Sequence, residues 1–78
     1  MTPSEIEALI TAGLPGCDAR VMSDDNTHFE AVVVSAEFAG KRPLQRHQLV
    51  YKTLGDLMGG EIHALSIQAL TPDEQAAG

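Results

Sequence analysis

The sequence has no tryptophan and few aromatic side chains (Phe29, Phe38 and Tyr51), so any core must be built from Val, Leu, Ile and Ala. A single cysteine, Cys17, excludes an internal disulfide framework and suits a reducing compartment. No apolar run approaches the roughly 20 residues that a membrane-spanning helix needs. We therefore expect a cytoplasmic protein with no membrane contact, folded as one small domain over residues 1–78.

Positive charge is also scarce. Five lysine and arginine residues stand against 11 acids, which gives a formal net charge of −6. Binding to a nucleic-acid backbone needs clustered cations, so the overall charge argues against a general electrostatic attraction to DNA or RNA. Most of the cations nevertheless lie within residues 41–52, and these are Lys41, Arg42, Arg46 and Lys52.

Turn signals and hydrophobic spacing in the first half predict a helix followed by a β-hairpin. Residues 2–5 read Thr-Pro-Ser-Glu, which is typical of a helix start, and Gly13 ends that helix. Residues 17–23 and 29–35 are predicted strands, the second with a run of three valines. The Asp-Asp-Asn sequence at residues 24–26 suits the tight turn between them.

The second half predicts a longer helix, a third strand and a short last helix. Pro43 favours the helix start, and we expect the glycine pair at residues 59–60 to end it. Apolar or semi-apolar residues recur along this helix every three or four positions, at His47, Val50, Tyr51, Leu54, Leu57 and Met58. Residues 61–70 are the third strand, and residues 71–74 start the last helix. The predicted fold is a small α+β sandwich of order α-β-β-α-β(-α), a three-stranded sheet with helices on one face.

Three segments resemble the BolA family in their order and spacing. They are Phe-Ala-Gly-Lys-Arg-Pro-Leu-Gln-Arg-His-Gln-Leu-Val-Tyr at residues 38–51, Thr-His-Phe at 27–29, and Ile-His-Ala-Leu at 62–65 with Thr-Pro at 71–72. The resemblance covers residues 6–74 and fits the family's branch with a loop histidine, which includes IbaG-like proteins. It implies a fold related to type II KH domains.

The resemblance also implies a metal site. It identifies His63 and His28 as the ligands that this chain contributes to a [2Fe-2S] cluster shared with a monothiol glutaredoxin and its bound glutathione. The implied function is an adaptor in iron-sulfur trafficking or iron sensing. No cofactor is expected in the isolated protein, which we expect to be a monomer or a weak homodimer.

Taken without the resemblance, each histidine has a simpler interpretation. A strand histidine that shares a face with Leu65 and Ile67, as His63 does, is more often a packed and hydrogen-bonded residue than a ligand. His28 would then be a solvated loop residue. We assign His47 to packing or to a polar anchor on the apolar side of the second helix. Cys17, a small hydrophobic residue near a strand start, receives no function.

The cationic segment supports an alternative function, a DNA-binding transcriptional or stress-response regulator. Lys41, Arg42, Arg46 and Lys52 would contact phosphate, with Arg46 pointing away from the apolar stripe. So few cations predict weak, salt-sensitive binding. A solvated patch with no partner explains these cations at least as well, and the same patch could also contact an acidic partner protein or the carboxylates of glutathione. No nucleophile, base and acid set can be placed together from the spacings, so an enzyme is not predicted.

Overall fold

Helices and strands alternate along the chain in the computed structural model, which describes residues 1–77. The elements are α1 (Pro3–Gly13), β1 (Asp18–Met22), β2 (His28–Val34), α2 (Pro43–Leu54), β3 (Ala64–Leu70) and α3 (Pro72–Ala77). Short 3₁₀ turns at Ala36–Phe38 and Gly55–Leu57 lie on either side of α2. The predicted order of elements is confirmed. Within residues 1–77, no helix combines the length and the apolar character that crossing a bilayer requires.

Local hydrogen bonds explain where α1 begins. The hydroxyl of Thr2 accepts a hydrogen bond from the backbone N–H of Glu5 at 3.3 Å, and the Glu5 carboxylate accepts one from the backbone N–H of Thr2 at 3.0 Å. This reciprocal pair satisfies two N–H groups that a helix start leaves open. Pro3, which has no N–H, occupies the first helical position.

The strands form one sheet in the order β1-β2-β3. β1 and β2 are antiparallel, so they form the predicted hairpin, whereas β3 lies parallel to β2. The β2–β3 register begins with His28 opposite Ala64 and ends with Val34 opposite Leu70. Parallel strands need a crossover connection, and α2 supplies it.

One face of the sheet carries the core. Phe29, Ala31 and Val33 alternate along β2 with exposed or half-buried residues, and all three are buried. The helices cover this face, which confirms the predicted arrangement. The buried apolar residues that pack together there are Ile6, Ile10, Leu14, Val21, Phe29, Ala31, Val33, Phe38, Val50, Leu54, Ile62 and Leu65.

The predicted end of α2 is wrong. The helix stops at Leu54 because Gly55 has a φ of +55°, a left-handed conformation that favours glycine. The helical spacing of apolar residues continues past that point because Leu57 and Met58, in and after the 3₁₀ turn, still pack against the core. Tyr51, which the spacing placed on the apolar side of the helix, is 38 % exposed.

The predicted start of β3 is also too early. Residues 61–63 precede the strand, and the chain there is held by a turn. The backbone N–H of Ile62 donates to the Leu57 carbonyl at 3.0 Å, and the N–H of Gly59 donates to the Ile62 carbonyl at 2.9 Å. Ile62 is fully buried, so it anchors the chain immediately before His63.

Candidate metal-ligand site

His28 and His63 lie at the same end of the sheet, where β2 and β3 begin. His28 is the first residue of β2, and its register partner in β3 is Ala64, the residue after His63. Because adjacent strands are about 4.8 Å apart, this pairing places the backbones of the two histidines at the same end of the sheet. The sequence could not show it, since the parallel pairing of β2 and β3 joins distant parts of the chain.

Both histidines are exposed. The His28 side chain retains 70 % of its accessible surface, as predicted for a residue at the end of the hairpin loop. His63 is exposed as well, although buried Ile62 precedes it and buried Leu65 follows two positions later. These buried neighbours fix the backbone while the imidazole stays outside the core. The interpretation of His63 as a packed core residue is therefore wrong.

Asp25 orients the His28 ring. Its Oδ2 atom lies 3.0 Å from His28 Nδ1, and its Oδ1 atom accepts hydrogen bonds from the backbone N–H groups of Thr27 and His28, each at 2.9 Å. The bonds from the His28 backbone, the His28 ring and the Thr27 backbone hold the pKa of Asp25 well below its usual range. The sequence indicates Asp24 and Asp25 only as turn residues; the one available signal for a further role is an aspartate three positions before a histidine.

A shallow depression of about 340 Å³ lies on the open face of the sheet beside His28. Its lining includes Asp24, Asp25 and Glu30 as well as His28 and Ser66. Three carboxylates give this end of the molecule a negative potential, which disfavours a phosphate backbone. The histidine end of the sheet is therefore unsuited to DNA.

The donor set fits part of a metal centre. Within residues 1–77, no group of three or more His, Cys, Asp or Glu side chains could enclose a metal ion. Cys17 is distant from His28. It precedes Asp18, which pairs with Val34 at the opposite end of β2 from His28. Partial burial raises the pKa of its thiol. Two exposed imidazoles suit one side of a [2Fe-2S] cluster, since two histidines ligate one iron in Rieske-type centres.

His47, on α2, differs in burial from His28 and His63. It is half-buried, and Val50 and Leu54, three and seven positions later on the same helix, are buried in the core. This burial agrees with the packing role assigned to it and separates it from the two exposed histidines.

The structure changes the predicted cationic patch. Lys41, Arg42 and Lys52 are exposed, but the Arg46 side chain keeps only 12 % of its accessible surface. Its guanidinium donates to the carbonyls of Lys41 and Ala69 at 2.9 and 3.1 Å, and it forms an ion pair with Glu74 at 2.6 Å. Arg46, one of the cations predicted to contact phosphate, is thus held by contacts with β3 and α3.

Lys41 and Lys52 border an open groove of about 440 Å³ along α2. Gln45, Gln48 and Leu49 complete most of its lining. Lys41 precedes α2 and lies near the carboxyl-terminal end of β3, where Arg46 contacts Ala69. His63, in contrast, precedes the amino-terminal end of β3. The two candidate sites are thus distinct surfaces of the molecule.

Comparison with known families gives one match that covers most of the chain. A family model described as "BolA-like protein" matches residues 13–74. The region includes His28, His63 and the cationic segment, so the family features identified in the sequence lie within it.

Individual relatives agree with this match. The solved structure of a BolA homologue from Coxiella burnetii superposes with a TM-score of 0.83 and 45 % identity, covering 97 % of each chain. "BolA-like protein 1" of Homo sapiens is 56 % identical over 46 residues, 59 % of this chain and 34 % of the relative. A Vibrio cholerae protein named "DNA-binding transcriptional regulator BolA" is 50 % identical over 48 residues, 62 % of this chain and 45 % of that protein. The chain thus matches less than half of the length of these two curated relatives.

Proposed function

Since this chain belongs to the BolA family, we propose that it is a binding adaptor rather than an enzyme, and that it shares a [2Fe-2S] cluster with a monothiol glutaredoxin. His28 and His63 are the ligands that the chain contributes. The observation that supports the proposal most directly is their placement: both histidines are exposed, His28 begins β2, and His63 immediately precedes Ala64, the register partner of His28 in β3.

An incomplete donor set is what a shared site requires. A [2Fe-2S] cluster takes two ligands on each iron. The partner supplies the other two as thiolates, one from the glutaredoxin cysteine and one from glutathione. The chain's own contribution is to present two neutral imidazoles and to keep the core closed behind them, which Ile62 and Leu65 do. The proposed role is iron-sulfur trafficking or iron sensing in the cytoplasm.

The test is reconstitution of the complex. The chain is mixed with a monothiol glutaredoxin, glutathione, iron and sulfide, and the complex is isolated. Its visible absorption is recorded as isolated, and its electron paramagnetic resonance after one-electron reduction with dithionite. We expect a coloured heterodimer with a spectrum of mixed histidine and thiolate ligation. His63→Ala should abolish that spectrum and His28→Ala should weaken it.

His47→Ala is the matched control, because it removes an imidazole that is half-buried on α2. It should lower stability and leave the cluster spectrum of the folded fraction unchanged. An unchanged cluster spectrum in the His28→Ala, His63→Ala double variant would contradict the ligand assignment.

A second candidate function is weak DNA binding through Lys41, Arg42 and Lys52. Two observations favour it: the groove that the two lysines border, and the similarity to a protein named as a DNA-binding regulator. A duplex shifted by the isolated, colourless chain in an electrophoretic assay would support the regulator. If the coloured heterodimer forms and no duplex is bound, only the adaptor function is supported.

A further inference from the structure

The loop between β1 and β2 holds one carboxylate in a fixed orientation. Ser23 Oγ accepts from the backbone N–H of Asn26 at 2.9 Å and donates to the His28 carbonyl at 2.7 Å, which closes the loop. Asn26 adopts a left-handed φ of +57°. Within this loop, Asp25 Oδ1 caps the N–H groups of Thr27 and His28. The second oxygen, Oδ2, is thereby directed at the His28 ring.

This geometry selects one tautomer of His28. A carboxylate only accepts hydrogen bonds, so the Nδ1 atom that lies 3.0 Å from Asp25 Oδ2 must carry a proton. A neutral imidazole has one ring proton, and Nε2 is then left with its lone pair. Within residues 1–77, the only side-chain hydrogen bond of the His28 ring is the one to Asp25, and the side chain is 70 % exposed.

We propose that Asp25 is a positioning residue that makes His28 an Nε2 ligand, by holding the ring in the Nδ1–H tautomer and fixing its orientation. The inference rests on the proposed function in one respect: the metal that His28 binds is taken to be an iron of the shared cluster. Ligating histidines commonly donate their second N–H to a carboxylate, and losing that partner typically costs about 10–100-fold in metal affinity.

Asp25→Asn separates this role from loop capping. The asparagine oxygen can still accept from the Thr27 and His28 N–H groups, and asparagine suits such turns. Its second arm, however, is an NH₂ donor in place of an acceptor. The amide would donate to Nδ1 and favour the Nε2–H tautomer, which blocks the ligand nitrogen. Asp24→Asn is the matched control, since Asp24 is an exposed neighbour of equal charge, whereas the His28 ring bonds to Asp25.

The first measurement uses the isolated chain with ¹⁵N-labelled histidine, at a pH where the imidazoles are neutral. Two-bond ¹H–¹⁵N correlation spectra assign the tautomer of each ring. The wild type and Asp24→Asn should show Nδ1–H at His28, and Asp25→Asn should show Nε2–H. A wild-type His28 with Nε2–H, or an Asp25→Asn variant that keeps Nδ1–H, would overturn the inference. No partner protein is needed, so this result does not depend on the proposed function.

The second measurement is cluster binding in the reconstituted complex. Asp25→Asn should weaken it by about 10–100-fold and Asp24→Asn should leave it unchanged. In a His28→Ala background, Asp25→Asn should cause no further loss, because Asp25 acts through His28. A variant with the switched tautomer and wild-type cluster binding would refute the positioning role while leaving the adaptor intact. If the wild type forms no cluster, the proposed function fails and the tautomer measurement alone decides the role of Asp25.

Discussion

Arg46 of α2 and Glu74 of α3 form an ion pair, 2.6 Å from Nη1 to Oε1, although they are 28 positions apart in the sequence. The same guanidinium donates to the carbonyls of Lys41 and Ala69. Glu74 also accepts from the backbone N–H of Thr71 at 2.8 Å. One side chain therefore joins the start of α2 to the end of β3 and to the last helix.

Replacing Arg46 should destabilise the fold. Arg46→Ala removes hydrogen bonds to two backbone carbonyls, one of them partly buried, and we expect the free energy of unfolding to fall by about 1–3 kcal/mol. Arg46→Lys should recover little of this, since an ammonium cannot reproduce the planar fork. Urea denaturation gives the measurement. The exposed Arg42→Ala is the control and should stay within about 0.5 kcal/mol of the wild type; an equal loss there would contradict the assignment.

The same ion pair should make stability depend on acid. Hydrogen bonds from Arg46 and from the Thr71 backbone lower the pKa of Glu74 from 4.5 to about 2. A carboxyl whose pKa is lower in the folded chain contributes stability that is complete above the ordinary value and lost as the pH falls towards the folded one. The stability difference between the wild type and Glu74→Gln should therefore be constant above about pH 4.5 and shrink between about 4.5 and 2. Denaturant unfolding of both proteins across this interval provides the check, and a difference independent of pH would refute it.

Gly13 of α1 lies close to Thr53 of α2. A Cβ atom on Gly13 would lie 2.5 Å from Thr53 Cγ2 and 2.8 Å from Thr53 Cβ. Gly13→Ala should therefore cost about 1–3 kcal/mol, as overpacking usually does, despite the higher helix propensity of alanine. Thr53→Ser removes the nearer methyl group and can keep the hydroxyl bond to the Val50 carbonyl, so the double variant should recover part of the loss. Purely additive effects in this double-mutant cycle would contradict the close contact.

If the chain binds duplex DNA, the salt dependence should be shallow. With Arg46 held inside the fold, Lys41, Arg42 and Lys52 remain as exposed contacts. At about 0.9 per phosphate, the log–log slope should be no steeper than about −3. The four predicted cations would have allowed a slope of about −4. Fluorescence anisotropy at several salt concentrations measures the slope, and Lys41→Ala with Lys52→Ala should reduce it. A steeper slope, or one that this double variant leaves unchanged, would place the DNA on another surface.

Much of the fold could be predicted because local signals agree with it. Thr2 and Pro3 start α1, and the valine run alternates between the two faces of β2. The end of α2 was missed because hydrophobic spacing reports burial, and Leu57 and Met58 remain against the core after the helix has ended. Gly55 carried the competing signal, a residue suited to a left-handed backbone.

The candidate site was harder to predict from the sequence than the fold, because it depends on contacts between segments that are distant in the chain. The family resemblance identified His28 and His63, but their placement at one end of the sheet depends on the pairing of His28 with Ala64. The Arg46–Glu74 contact likewise joins two helices, so no helical periodicity could reveal it. The contact between Asp25 and His28 is local, yet a turn sequence does not specify which way a carboxylate points.

Because β2 and β3 pair in parallel, the distance between the His28 and His63 imidazoles depends on the register of the two strands. A slip of β3 by two residues would keep its inward and outward faces but move His63 by about 6.6 Å along the sheet. Metal–ligand bonds tolerate changes of only about 0.2 Å. A metal centre ligated by both imidazoles therefore binds only the fold in which β3 keeps its native register. By mass action, its binding stabilises that register relative to folds in which β3, an edge strand, has slipped along β2.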